Sequence, residues 1–103
     1  MQVDEGQISY FGPLTGGTVA LREMDRLTLE GNMYPAHWRL NQQGQPPLLI
    51  PVNAAGAEAL FDAFAALPGL RTEKMLNTLR AEPHATVVIW QRVASPQSRT
   101  LLH

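Results

Sequence analysis

Apolar and polar positions alternate with period two along several short stretches of the chain, and two stretches switch to the three-to-four spacing of helices. Leu48, Ile50 and Val52 alternate with Leu49 and Pro51, which predicts a strand; Pro51 cannot donate to a ladder, so the strand belongs at a sheet edge. Asn53 is a good N-cap type, and Gly56 offers a second start. Leu60, Phe61, Phe64 and Leu67 then share one side of a helical wheel, predicting a main helix over about 54–67 that Pro68-Gly69 ends. This block of strand and helix is the largest piece of candidate core, and the rest of the chain reads as its cover.

Upstream, QISYF at 7–11 is a strand with Ile8 and Tyr10 on one face and Ser9 and Phe11 on the other. Thr15-Gly16-Gly17 reads as a turn, and 18–22 as the next strand with Val19 and Leu21 inward. Residues 18–30 are one bent strand or two, with a helix across 20–27 as the competing pattern. Ala36–Leu40 alternates so that Trp38 and Leu40 point inward and His37 and Arg39 outward; residues 41–46 form a polar turn around Gly44. Downstream, Thr72 caps a second short helix over about 73–81, with Met75, Leu76 and Leu79 as its apolar stripe. TVVIWQRV at 86–93 is rich in β-branched and aromatic residues and predicts a final strand.

The pattern therefore predicts an α+β fold, an antiparallel sheet of five to six short strands packed against the two helices. It forms a single domain over 1–93, followed by a polar tail over 94–103. One detail is out of place. Asp4-Glu5-Gly6 reads as a hairpin turn, yet little more than Val3 precedes it. The expectation is a vestigial first strand, or a chain that lacks an upstream strand or membrane anchor.

Composition narrows the chemistry. The chain has 103 residues, 45% of them hydrophobic, with a formal net charge of −1. That suits a globular domain with a small core, and the absence of a basic block argues against nucleic acid as a partner. There is no cysteine, which excludes disulfides, thiolate metal sites and thiol nucleophiles. No signal peptide or spanning segment is visible, so the expected setting is cytoplasmic, with membrane association only through a segment not present in the sequence.

No candidate chemistry assembles, and no catalytic, cofactor-binding or metal-binding residue is assigned. His37, His84 and His103 lack metal-ligand spacing, and His37 reads as an exposed strand histidine. The carboxylate pairs Asp4-Glu5, Glu23/Asp25 and Glu58/Asp62 read as solvated faces, because an acid–base pair needs two contrasting environments. The glycines at 12, 16 and 17 precede a strand, where a phosphate cradle needs a helix N-terminus. Ser9, Ser95 and Ser98 lack a nucleophile motif. Trp38 and Trp90 read as core, whereas Phe11 and Tyr34 flank turns and suit an exposed interaction patch.

The order of elements invites one comparison. QISYFGPLTGGTVALREMDRLTL is similar to the strand–turn–strand entry of bacterial pleckstrin-homology-like domains, and AHWRL followed by GQPPLLIPVNAAGAEALFDAFAAL resembles the last hairpin and closing helix of that fold, over about 7–67. The family carries seven strands and ends with its helix; here a helix at 73–81 and a strand at 86–93 follow. The resemblance implies a non-catalytic interaction module, often attached to a membrane-spanning segment.

Two functional expectations follow. The first is a protein-interaction or assembly module that needs no cofactor and binds a protein partner, or a second copy of itself, through a free strand edge at 86–93 or 7–11. The alternative is a small enzyme or ligand carrier with a pocket between sheet and helices, using His37, Arg39 and Tyr34 as its polar groups.

Overall fold

The computed structural model describes residues 1–4, 6–12 and 16–92. They form an α+β fold with two antiparallel sheets in place of the single sheet expected. The first has three strands in the order β1-β2-β3: β1 (Gln2–Asp4), β2 (Gln7–Phe11) and β3 (Gly16–Ala20). The second has four strands in the order β6-β5-β4-β7: β4 (Met24–Glu30), β5 (His37–Gln42), β6 (Leu48–Pro51) and β7 (Thr86–Gln91). Helices α1 (Glu58–Ala65) and α2 (Thr72–Ala81) lie in sequence between β6 and β7. Val93 and the tail at 94–103 fall outside the described residues.

The inner face of the four-stranded sheet follows from the register. Leu27, Leu40, Leu48 and Trp90 form one row across the four strands, and Leu29, Trp38, Ile50 and Val87 the next. Most of these are buried, and side chains at alternate positions leave on the opposite face. Helix α1 covers this inner face. Trp38 meets Phe64 edge-on at 5.5 Å between ring centroids and Phe61 at 6.4 Å. Leu60, Phe64 and Leu67 are buried, each contributing about 1.5–3 kcal/mol by leaving water. Met75 brings α2 into the same core, and Ile8 and Val19 bring in the three-stranded sheet, so one apolar cluster serves both sheets.

The link between the sheets is a 3-10 turn at Leu21–Glu23, so the helical pattern that competes at 20–27 is realised as a single tight turn. Arg92 clasps it. Its Nε donates to the Met24 carbonyl at 2.8 Å, and its Nη2 donates to those of Arg22 at 3.0 Å and Leu21 at 3.3 Å. The guanidinium also lies 5.1 Å from the centre of the Trp90 ring, a cation–π contact.

Three element boundaries depart from expectation, each for a local reason. β3 starts at Gly16, so the two glycines read as a turn belong to a strand. They sit opposite Phe11 and Tyr10, and a Cβ on Gly16 would come within 2.8 Å of the Phe11 ring, so the aromatic side chain takes the space glycine leaves. Helix α1 starts at Glu58, four residues later than expected, because Gly56 has φ of +80° and a left-handed residue cannot sit inside a right-handed helix. Its N-cap is Ala57 with no side-chain cap, so Asn53 does not cap it. Thr72 is the first residue of α2, and the cap position is Arg71.

The short first strand exists: β1 pairs with β2 through Val3 opposite Ile8. At the far end of α2, Glu82 closes the helix with φ of +47°. Glycine adopts that conformation without the Cβ penalty. Glu82→Gly is therefore expected to raise the free energy of unfolding by about 0.5–1 kcal/mol, read from urea denaturation.

Candidate functional site

The face of the four-stranded sheet turned away from α1 collects the polar residues. Its register rows run Thr86–Glu30–His37–Pro51, Val88–Thr28–Arg39–Leu49, and Gln91–Arg26–Asn41. Glu30 is the most internally bonded group in this cluster. The Thr86 hydroxyl donates to its Oε2 at 2.7 Å, and Arg39 Nη1 lies 3.6 Å from its Oε1. The Arg39 side chain is 43% exposed, so water screens this ion pair and it adds less than about 1 kcal/mol.

His37 corrects the sequence reading. It lies on the outer face, as the alternation requires, but it is buried. The reason is local: its Nδ1 donates to the Pro35 carbonyl at 2.7 Å, which holds the ring against the loop that leads into β5. That bond sets the tautomer, with Nδ1 carrying the proton.

The three residues expected to line a pocket between sheet and helices do not come together there. His37 and Arg39 occupy the face opposite Trp38, which is the residue that meets α1. Tyr34 is fully exposed in the preceding loop. Open clefts lie elsewhere among the described residues. One of about 520 Å³ runs between residues 16–19 of β3 and 45–48 at the start of β6. Another, about 270 Å³, is beside β1 and β2 and is lined by Gln2, Asp4, Gln7 and Ser9. Among the described residues no group of three or more His, Asp or Glu gathers in metal-binding geometry, and no helix is long and apolar enough to cross a membrane. The carboxylates Asp4, Glu23, Asp25, Glu58 and Asp62 are all exposed.

What distinguishes the surface is its set of sheet edges. β2 lies between β1 and β3, so the strand at 7–11 has no free edge. Of the four edge strands, β1 has three residues and carries Asp4, β3 begins with two glycines, and β6 ends in Pro51 and follows Pro46-Pro47. Short length, glycine and proline all weaken a strand as a pairing template. β7 has none of these features. Its six residues, TVVIWQ, contain no charge, proline or glycine.

The ladder also shows which groups of β7 face outward. The Gly31 amide donates to the Ala85 carbonyl and the Arg92 amide to that of Asp25. Amide groups alternate sides along an antiparallel strand, so those of Val87 and Trp90 point to β4, and those of Thr86, Val88 and Gln91 point away. Ile89 is the extra residue of a bulge, and its side chain is buried. Val88 is 40% exposed in the middle of this edge. The Phe11 side chain, 77% exposed, stands apart at the end of β2.

Sequence reasoning names the strand at 86–93 as a candidate edge but misses Glu30, Thr86 and Arg92 as structural partners. Glu30 and Thr86 are 56 positions apart, and no local spacing signals such a pair. No known protein family, curated protein or solved structure matches the chain.

Proposed function

We propose that this chain is a non-catalytic protein-interaction module that works by strand addition at the outer edge of β7. The observation that carries the reading is that one edge strand of four is long, uncharged and free of proline, with Val88 exposed at its centre. Partners recognised this way gain affinity from main-chain hydrogen bonds and specificity from alternate side chains. The polar groups on the outer face support the same reading, because Glu30, Thr86, Arg39 and His37 are bonded to each other or to nearby backbone. They stiffen the sheet behind the edge. The resemblance to pleckstrin-homology-like domains belongs to this reading too, as the kind of module such a sheet and helix would serve.

The test is nuclear magnetic resonance of isotope-labelled protein inside cells. The amide signals of Thr86, Val88 and Gln91 are expected to shift or broaden relative to the dilute purified protein. Val88→Lys places a charge on the exposed centre of the edge without touching the core, and is expected to keep those signals in place. Unchanged signals in cells, and at every concentration of purified protein, would overturn the reading.

A further inference from the structure

We infer that the outer face of the three-stranded sheet binds neutral carbohydrate, with Phe11 as the ring on which a sugar stacks. This face belongs to a different sheet from β7, so the inference does not depend on what the β7 edge pairs with.

Strand alternation builds the face. Val3, Ile8, Tyr10 and Val19 turn inward and pack in the core, so Gln2, Asp4, Gln7, Ser9, Phe11 and Thr18 turn outward. The register sets them in rows: Asp4 beside Gln7, then Gln2–Ser9–Thr18, then Phe11 beside Gly16. Phe11 is the one large apolar side chain among them, and it stays 77% exposed. Gly16, opposite it, has no side chain, and a Cβ there would come within 2.8 Å of the Phe11 ring. The ring therefore leans across the neighbouring strand and keeps its outer side open. An aromatic face carries negative charge density, which attracts the weakly positive C–H groups of a sugar ring.

The other side chains supply what hydroxyl groups need. Gln2 and Gln7 each carry two donors and an acceptor, and the Asp4 carboxylate accepts. All three are exposed, and among the described residues none of their side chains makes an internal hydrogen bond or ion pair. The Ser9 and Thr18 hydroxyls bond each other at 2.9 Å, which leaves one of the two protons for a ligand. Gln2, Asp4, Gln7 and Ser9 also line the open cleft of about 270 Å³.

Charge selects the ligand class. Asp4 is the only charged residue on this face among the described residues, so the face repels phosphate-bearing ligands. A hydrocarbon surface would strip water from the amides and the carboxylate and return no hydrogen bonds. A neutral polyhydroxylated ring with one C–H face satisfies both halves. Phe11 and Gln7 are four strand positions apart, about 14 Å, a span that suits a short oligosaccharide. The face covers one side of such a ligand, so the expected dissociation constant is on the order of 1 mM.

The test is a nuclear magnetic resonance titration of the isotope-labelled full chain with maltotriose, cellotriose, mannotriose and N-acetylchitotriose. At least one is expected to shift the side-chain amide signals of Gln2 and Gln7 and the backbone amides of Ser9, Phe11 and Thr18 together and saturably. Glycerol at matched hydroxyl concentration is expected to leave them in place. Phe11→Ala is expected to weaken binding about tenfold, and Phe11→Trp to retain it. Both substitutions fall on an exposed side chain, and unchanged core signals of Ile8 and Val19 check that the fold survives. Signals that stay still with all four sugars overturn the inference. So does a response that glycerol reproduces, one that is centred on β7, one that Phe11→Ala leaves intact, or one that Phe11→Trp abolishes as fully as Phe11→Ala.

Discussion

Trp38→Ala is expected to cost about 3–5 kcal/mol of folding free energy, the largest loss of any single side chain in the domain. Trp38 is 1% exposed on the inner face of β5, between Leu29 of β4 and Ile50 of β6, and it meets both phenylalanines of α1. Truncation removes a large buried apolar surface and two edge-to-face ring contacts together, and it leaves a cavity under a helix of eight residues. A domain of this size has roughly 5–15 kcal/mol of total stability, so the variant unfolds at low denaturant or fails to fold at room temperature. Trp38→Phe keeps most of the volume and should lose less than half as much. The readout is urea denaturation followed by circular dichroism, since tryptophan fluorescence would lose one of its two reporters. A loss below about 1 kcal/mol for Trp38→Ala would mean that α1 is not seated on this sheet.

Gly31→Ala is expected to cost at least about 2 kcal/mol, although it adds one methyl group. A Cβ on Gly31 would lie 2.0 Å from the Pro83 carbonyl oxygen and 2.8 Å from that of Ala85. Both obstacles are backbone, which cannot swing aside as a side chain does. The Gly31 amide also donates to Ala85 at 3.0 Å, so pushing the segments apart breaks the bond that starts the β4–β7 ladder. Gly44→Ala is the matched comparison. Gly44 has φ of +81° and open space around its missing Cβ, so only the left-handed conformation is penalised, at about 1 kcal/mol. Equal losses for the two variants would show that crowding at Gly31 is not what holds glycine there.

These two positions also mark what the sequence discloses and what it hides. Trp38 and Leu40 are legible as core because alternation in a strand with one buried face leaves them nowhere else to point. Met75 and Phe64 are legible through helical spacing. Gly31 is not, since its constraint comes from Pro83 and Ala85, more than fifty positions away in the chain. Gly16 and Gly17 mislead in the other direction. Glycine pairs usually mean a turn; here both pair with β2, and the Phe11 ring fills the space beside Gly16. The start of α1 was readable as far as Gly56 being special, but its left-handed φ is a tertiary choice. His37 reads as exposed by alternation alone, because the outward face of a strand is normally wet; the loop at Pro35 decides otherwise. Strand content was therefore visible, whereas the division into two sheets was not: pairing partners are set by what lies across the fold. The candidate site divides the same way. The uncharged run TVVIWQ and its candidacy as an edge could be seen; that the strand at 7–11 lies between two others and has no free edge could not.

The position of β7 has one more consequence, in the order of events during folding. β4 finds β5 through a short connection, and β6 follows directly. The second side of β4 stays open until a strand some 56 residues later arrives, and both helices lie inside the loop it closes. Closing that loop is expected to carry the largest chain-entropy cost in the fold and to be its slowest step, read from stopped-flow refolding. Until then β4, the most buried strand of the finished protein, is itself an exposed edge, so the same chemistry that suits β7 for pairing in the native state makes β4 the point at which an unfinished chain is caught by a wrong partner.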